Sequence, residues 1–194
     1  MDQGSVVVVK DTYAYLREGL AHHVITRHTV IDEDHSISLI QRPDCSEYWA
    51  EIVCASASSL IVHGDYDMCG FRGWGNKGGW RGTLEWVASS SLDYLQTKAA
   101  ALTSSGYVRD FCRDQAKADL KDYVEQEYMT EEVKDEALSL LDSHGDPYKA
   151  REYVYDETND AELCGFGETV SDRVVFAHVA AQKLLELLKE RENE

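Results

Sequence analysis

The residues best suited to chemistry fall in three places. His63-Gly64-Asp65-Tyr66-Asp67 sets an imidazole and two carboxylates within five positions, just after the apolar stretch Ser59–Val62. Such a set could bind a divalent metal or shuttle a proton. The same letters are also ordinary turn chemistry, Gly-Asp closing a strand, and no second ligand cluster completes a site. The second place is Gly73-Trp74-Gly75-Asn76-Lys77-Gly78, which matches G-x-G-x-x-G. A dinucleotide fingerprint needs a strand before it, a helix opening on the third glycine and an acidic residue about 20 positions later. Gly79, Trp80 and Gly82 follow and argue against that helix, so the stretch reads as a glycine-rich connection in a β region. Its two indoles, Trp74 and Trp80, are either a lid folded over the sheet or candidate partner-binding anchors.

The third place is acidic. Glu125, Glu127, Glu131, Glu132, Asp135 and Glu136 fall within twelve residues, and Lys134 is the only base among them. Charge is distributed unevenly along the whole chain: residues 103–168 carry a net −11, residues 1–102 a net −5 and residues 169–194 a net −1, out of −17. A field of that sign repels nucleic acid phosphate and attracts the basic surfaces that normally hold it. Carboxylates imitate phosphates there, because both accept charge-assisted and often bidentate hydrogen bonds from arginine. The alternative is a face that only stays hydrated.

Other signals for chemistry are thin. The five cysteines are scattered, with no C-x-x-C, which fits idle thiols in a reducing compartment. No H-E-x-x-H or G-x-S-x-G occurs, His22 and His23 are adjacent and so diverge on a helix, and His178 reads as a satisfied core residue. No metal, cofactor or catalytic residue is therefore expected. Val6–Val9 is too short for a signal core or a membrane span, so the expectation is a cytoplasmic protein without membrane attachment.

The elements that would carry these residues follow from hydrophobic period. Leu16, Leu20 and Val24 predict a short first helix with Asp11 as N-cap. Alternation predicts strands over Ser36–Gln41, Tyr48–Cys54 and Ser59–His63, then a weaker pair at Met68–Arg72 and Thr83–Val87, joined as an antiparallel meander. From Ser91, a predicted N-cap, the period becomes helical: Leu92, Leu95, Ala99 and Leu102 share one stripe. A longer helix is predicted from Tyr107 through Phe111, Ala116, Leu120, Tyr123 and Val124 to Tyr128, with Arg109 on its charged side. Thr130 caps the next helix and Asp146–Pro147 starts another. The last runs from about Val170 to Lys189, behind a capping box of Thr169 and Asp172. The fold class is thus α+β, a small antiparallel sheet followed by a bundle-like helical half. Residues 1–102 form the helix-plus-sheet region and residues 103–194 the acidic helical region, within one compact unit.

Tyr48-Trp49-Ala50-Glu51-Ile52-Val53-Cys54 followed by Ser59-Leu60-Ile61-Val62-His63-Gly64-Asp65-Tyr66-Asp67 resembles a group of mostly uncharacterised phage and prophage proteins. In that group a strand pair leads into an apolar run and a Gly-Asp turn, then a strand bearing an aromatic and an arginine, places that Phe71 and Arg72 fill here. The resemblance spans roughly residues 37–102 and breaks at Gly70–Gly82, and it does not reach the acidic region. It implies a viral or mobile-element origin, for which small acidic proteins that block host defence, including CRISPR inhibitors that mimic nucleic acid, are one known class.

Together these readings lead to one expectation: a non-enzymatic anti-defence protein that binds a basic nucleic-acid-binding protein or a CRISPR effector complex, and not nucleic acid itself. Its contacts would be the six carboxylates, with Trp74 and Trp80 beside them. Two other classes stay open at this point, a small enzyme acting on a nucleotide or signalling molecule around His63, Asp65 and Asp67, and a host-takeover module unrelated to nucleic acid.

Overall fold

A computed structural model describes residues 5–43, 45, 49–55, 59–73, 78–101, 109–144 and 147–194. In chain order the first elements are α1 (Ser5–Leu20), β1 (Val24–Val30), β2 (Ser36–Gln41), β3 (Ala50–Cys54), β4 (Ser59–Gly64), β5 (Asp67–Arg72), α2 (Gly79–Ser89), α3 (Leu92–Lys98) and β6 (Ala99–Ala101). Then come β7 (Arg109–Phe111), α4 (Arg113–Glu125), α5 (Glu131–His144), α6 (Pro147–Thr158), β8 (Glu168–Val170) and α7 (Asp172–Glu192). The fold is α+β. Two compact units divide it, a sheet unit of Val8–Val108 with Val170–Glu194 and a helical unit of Met1–Val7 with Arg109–Thr169.

In the sheet unit, β1 to β6 lie side by side in sequence order and every neighbouring pair is antiparallel. Alternation decides the faces. Ser36, Ser38 and Ile40, then Ala50, Ile52 and Cys54, then Leu60, Val62 and Gly64 are all buried, while the residues between them are half-buried. Helices α1, α2, α3 and α7 close over that buried face with Leu16, Leu20, Leu84, Val87, Leu95, Val174, Phe176 and Leu184. Each such side chain removed from water contributes about 1.5–3 kcal/mol. Gly64 is a point of close approach: a Cβ there would sit 2.3 Å from the Trp49 carbonyl oxygen and 2.9 Å from the Phe176 ring, so only glycine lets α7 seat Phe176 against Tyr66.

Several elements depart from the expected ones. Thr83–Val87 is not a strand but the middle of α2, because Thr83, Leu84, Val87 and Ala88 share one buried side of a helix. Gly79 and Gly82 do not break that helix. Gly79 opens it at φ +57, and a Cβ there would lie 2.2 Å from the Glu33 carbonyl, which accepts a hydrogen bond from Trp80 N at 3.0 Å. Asp11 lies inside α1 rather than at its start, and Val24 starts β1, a β-branched strand that the helical stripe through Leu20 had absorbed. Ser91 does cap α3, its hydroxyl accepting from Tyr94 N at 3.3 Å, but Ala99 belongs to β6. The expected strand start at Tyr48 and the helical positions of Leu102 and Tyr107 lie outside the described residues.

The helical unit has its own core, Ala116, Leu120, Met129, Ala137, Leu141, Ala150, Val154, Leu163 and Phe166. Arg109 and Phe111 are in β7, not in a helix, and β7 pairs with β8. Helix α4 therefore starts at Arg113, and Tyr128 lies beyond its end and exposed. Asp119 ties the pieces together, its carboxylate accepting from Gly167 N at 2.7 Å and from Gln115 Nε2 at 2.6 Å. Arg151 packs between the rings of Phe111 and Phe166 and donates to the Phe166 carbonyl at 2.9 Å. Helix α7 is capped by Ser171, whose hydroxyl accepts from Arg173 N at 3.4 Å, and not by Thr169. Although it follows the acidic region in sequence, α7 packs on the sheet.

Candidate functional site

The acidic run is positioned by the way one helix stops and the next starts. Helix α4 ends in a Schellman motif: Tyr128 N donates to the Tyr123 carbonyl at 2.9 Å and Glu127 N to the Val124 carbonyl at 3.0 Å. The residue that makes the left-handed turn in such a motif is usually glycine. Here it is Glu127, at φ +62, a backbone state that costs an L-residue about 1–2 kcal/mol. Met129 is buried and anchors the corner, and Thr130 then caps α5, its hydroxyl accepting from Val133 N at 3.3 Å. Glu131 and Glu132 occupy the first turn of α5, where the helix dipole favours carboxylates.

All six carboxylate residues, Glu125, Glu127, Glu131, Glu132, Asp135 and Glu136, are exposed. The one base among them is spent locally. Lys134 is only 19% exposed, pairs with Glu131 and lies 3.2 Å from Asp135, and hydrogen bonds to those two groups, Glu131 first, hold its ammonium above the usual lysine range. Lys121 reaches Glu125 at 3.6 Å across one helical turn, with both ends in solvent. Glu127, Glu132 and Glu136 have no ion-pair partner among the described residues.

Helix α6 extends this surface, a contribution the residue-by-residue reading missed. It packs along α5 and exposes Glu152, Asp156 and Glu157 together with Tyr148 and Tyr155. The phenol of Tyr153 is pushed up, first by burial and then by the charges of Glu157, Glu136 and Glu132, which come from both helices. The regional charge excess pointed toward these residues; the pairing of α5 with α6 was needed to join them.

The remaining candidates belong to the sheet unit. Trp74 is outside the described residues. Trp80, in the sheet unit, is half-buried against the core with its ring 5.3 Å from His28. The triad of His63, Asp65 and Asp67 does not converge: His63 packs edge-on against Trp49 at 5.0 Å, Asp65 is exposed on the turn, and Asp67, at φ +74, faces Arg173 of α7 at 3.7 Å. His178 is buried, with Nε2 3.2 Å from the Ala88 carbonyl, and its Nδ1 has no hydrogen-bond partner among the described residues.

The glycine-rich stretch does run from strand β5 into helix α2, contrary to the sequence expectation. Yet the next strand, β6, pairs antiparallel to β5, so the parallel βαβ unit of a dinucleotide site is not formed. Among the described residues, no group of three or more His, Cys, Asp or Glu side chains is arranged to hold a metal ion, and no helix is long and apolar enough to cross a membrane. Burial pushes the thiols of Cys54 and Cys69 up to about 11 and about 12, the opposite of an activated nucleophile.

This geometry defines an α+β protein whose most distinctive surface is anionic. No protein-family model, curated protein or solved structure matches the chain.

Proposed function

We propose that the protein is a phage-type anti-defence inhibitor that acts in the host cytoplasm by stoichiometric binding. Its α4–α5 corner and the adjoining face of α6 would occupy the Lys/Arg-lined nucleic-acid channel of a host protein, a CRISPR effector complex above all. The observation that carries this reading is the corner itself: six exposed carboxylates with a single base between them, and that base already held by Glu131 and Asp135. Glu127 adds support. A carboxylate stands where glycine would relieve backbone strain, which is the pattern of a residue kept for its charge. The reading does not draw on Trp80, whose ring is seated on His28.

Such an inhibitor would associate quickly through electrostatic steering and would weaken as salt is added. The test is a competition assay on a purified effector complex, with guide-matched DNA displaced by increasing amounts of the protein at several salt concentrations. Wild type should inhibit at equimolar amounts. A variant carrying Glu125, Glu131, Glu132, Asp135 and Glu136 all changed to Lys should lose inhibition while keeping its circular dichroism spectrum. Undiminished inhibition by that folded variant would reject the mimicry, and inhibition far below equimolar amounts would point to an enzyme.

A further inference from the structure

Helices α1 and α7 leave a groove between them in the sheet unit that encloses about 180 Å³. A space of ~150 Å³ holds one benzene ring, so the groove has room for a body of that size. Leu20 and Val179 are buried and give it an apolar floor. Three charged side chains, Arg17, Lys183 and Glu186, line the same space. Lys183 is only 13% exposed, and its ammonium is held by Glu186 at 3.1 Å along α7. Arg17 is exposed and forms no ion pair among the described residues, in a chain with 36 acids against 19 bases. Its guanidinium instead lies 5.8 Å from the centre of the Tyr13 ring. The Tyr13 hydroxyl donates to Gln182 of α7, another lining residue, and so ties the ring and its cation to the groove. A guanidinium seated over a ring keeps its fork of N–H donors for a ligand.

Charge and shape select the ligand. Arg17 and Lys183 against Glu186 leave the groove a net +1, which a single negative charge neutralises. A phosphate dianion would overshoot that balance, and a neutral ring would leave Arg17 unmatched. A zwitterion would need Glu186 for its ammonium, and Glu186 is already held by Lys183. A carboxylate meets a guanidinium through two parallel, charge-assisted hydrogen bonds. Gln182 offers no competing donor, since its amide nitrogen donates to the Ala88 carbonyl at 3.0 Å and lies 3.0 Å from His178 Nε2.

We propose that the α1–α7 groove binds a small monocarboxylate, its apolar body on Leu20 and Val179 and its charged end on Arg17. No part of this site draws on the acidic corner, so either reading can fail without the other. The competing role for Arg17 is purely electrostatic: it lies in the last turn of α1, where a cation suits the helix dipole.

Benzoate is the probe, and benzamide, a body of the same size without the charge, is its control. In an NMR titration of the isotope-labelled full chain, benzoate should give saturable amide shifts centred on Arg17, Ala21 and Lys183. A ligand this small should bind with a Kd on the order of 1 mM. Benzamide should bind at least about ten-fold more weakly, because it lacks the charge-assisted pair. Arg17→Gln should bring benzoate down to the level of benzamide. Arg17→Lys keeps the cation at the end of α1 but loses the planar fork, so it should weaken benzoate at least about three-fold, and it decides the matter if the glutamine variant loses α1. If Arg17 serves only the helix dipole, its variants will lower stability and leave benzoate binding unchanged. That result, equal binding of benzamide, shifts centred away from the groove, or no saturable shift at all would each overturn the proposal.

Discussion

The sheet unit and the helical unit hide apolar side chains by different means. The sheet unit closes several helices over one face of six strands and buries large residues such as Phe71, Phe176, Leu60 and Leu84. The helical unit rests on a smaller cluster in which three of the buried residues, Ala116, Ala137 and Ala150, are alanines. It leans instead on polar ties, Asp119 to Gly167 and Arg151 to the Phe166 carbonyl. The same unit carries a net −11 over residues 109–169. The larger apolar core is thus in one unit and most of the negative charge in the other. A surface crowded with carboxylates repels itself, and a small core leaves little margin to absorb that repulsion.

Core truncation should separate the two most sharply. Phe176→Ala should cost the sheet unit about 3–5 kcal/mol and Leu120→Ala should cost the helical unit about 2–5 kcal/mol. Against a stability of roughly 0.05–0.15 kcal/mol per residue, or about 3–10 kcal/mol for a unit of that size, the second loss removes a large share. All four tryptophans lie in the sheet unit, so their fluorescence follows that unit alone while far-ultraviolet circular dichroism follows both. In urea, Leu120→Ala should therefore lose circular dichroism early with the fluorescence transition unmoved. A single coincident transition in both variants would break the comparison.

Acidification should act next, and on the sheet unit. Burial, opposed only in part by the hydrogen bond to the Ala88 carbonyl, lowers the His178 pKa below its ordinary 6.5. Burial, then the charges of Arg191 and Arg81, does the same to His28. For a base lowered by folding, the unfolded chain takes up a proton first. Stability is therefore complete above about pH 7.5, and it falls as pH drops through 6.5 toward the folded values. The tryptophan-detected urea midpoint should decline between pH 7.5 and pH 5.5, and His178→Gln should flatten part of that decline. An unchanged slope in the variant would remove His178 from the account.

The smallest effect concerns the corner itself. Glu127→Gly relieves a left-handed turn worth about 1–2 kcal/mol, offset by about 0.4–1 kcal/mol of added freedom in the unfolded chain. A gain of up to about 1.5 kcal/mol in the helical unit is expected by urea-dependent circular dichroism. If the variant is instead less stable, the glutamate has a structural role and the trade of stability for charge at this position is wrong.

Much of this architecture was legible from local pattern. Strict alternation located β2, β3 and β4 and a weaker pattern β5, Ser91 and Thr130 marked two helix starts, and the run from Glu125 to Glu136 identified the exposed corner. Where local pattern was ambiguous, reading failed for a physical reason. Thr83, Leu84 and Val87 suit a strand or a helix equally, and contact with the sheet chose helix despite two glycines. Val24 continues the helical stripe of α1 yet pairs with Gln41 in β1. The acidic residues of α6 were visible as charge but not as neighbours of Glu132 and Glu136.

What the amino-acid order determined by itself was therefore the α+β class, the strand faces and the concentration of negative charge, because periodicity, capping and charge are properties of short segments. Tertiary structure alone decided that α7 belongs to the sheet, that α6 broadens the acidic corner, and that His63 and Asp67 turn to different partners. Each of those depends on which distant segment a side chain meets, and burial against a distant partner outweighs the fraction of a kilocalorie per residue by which local propensities differ.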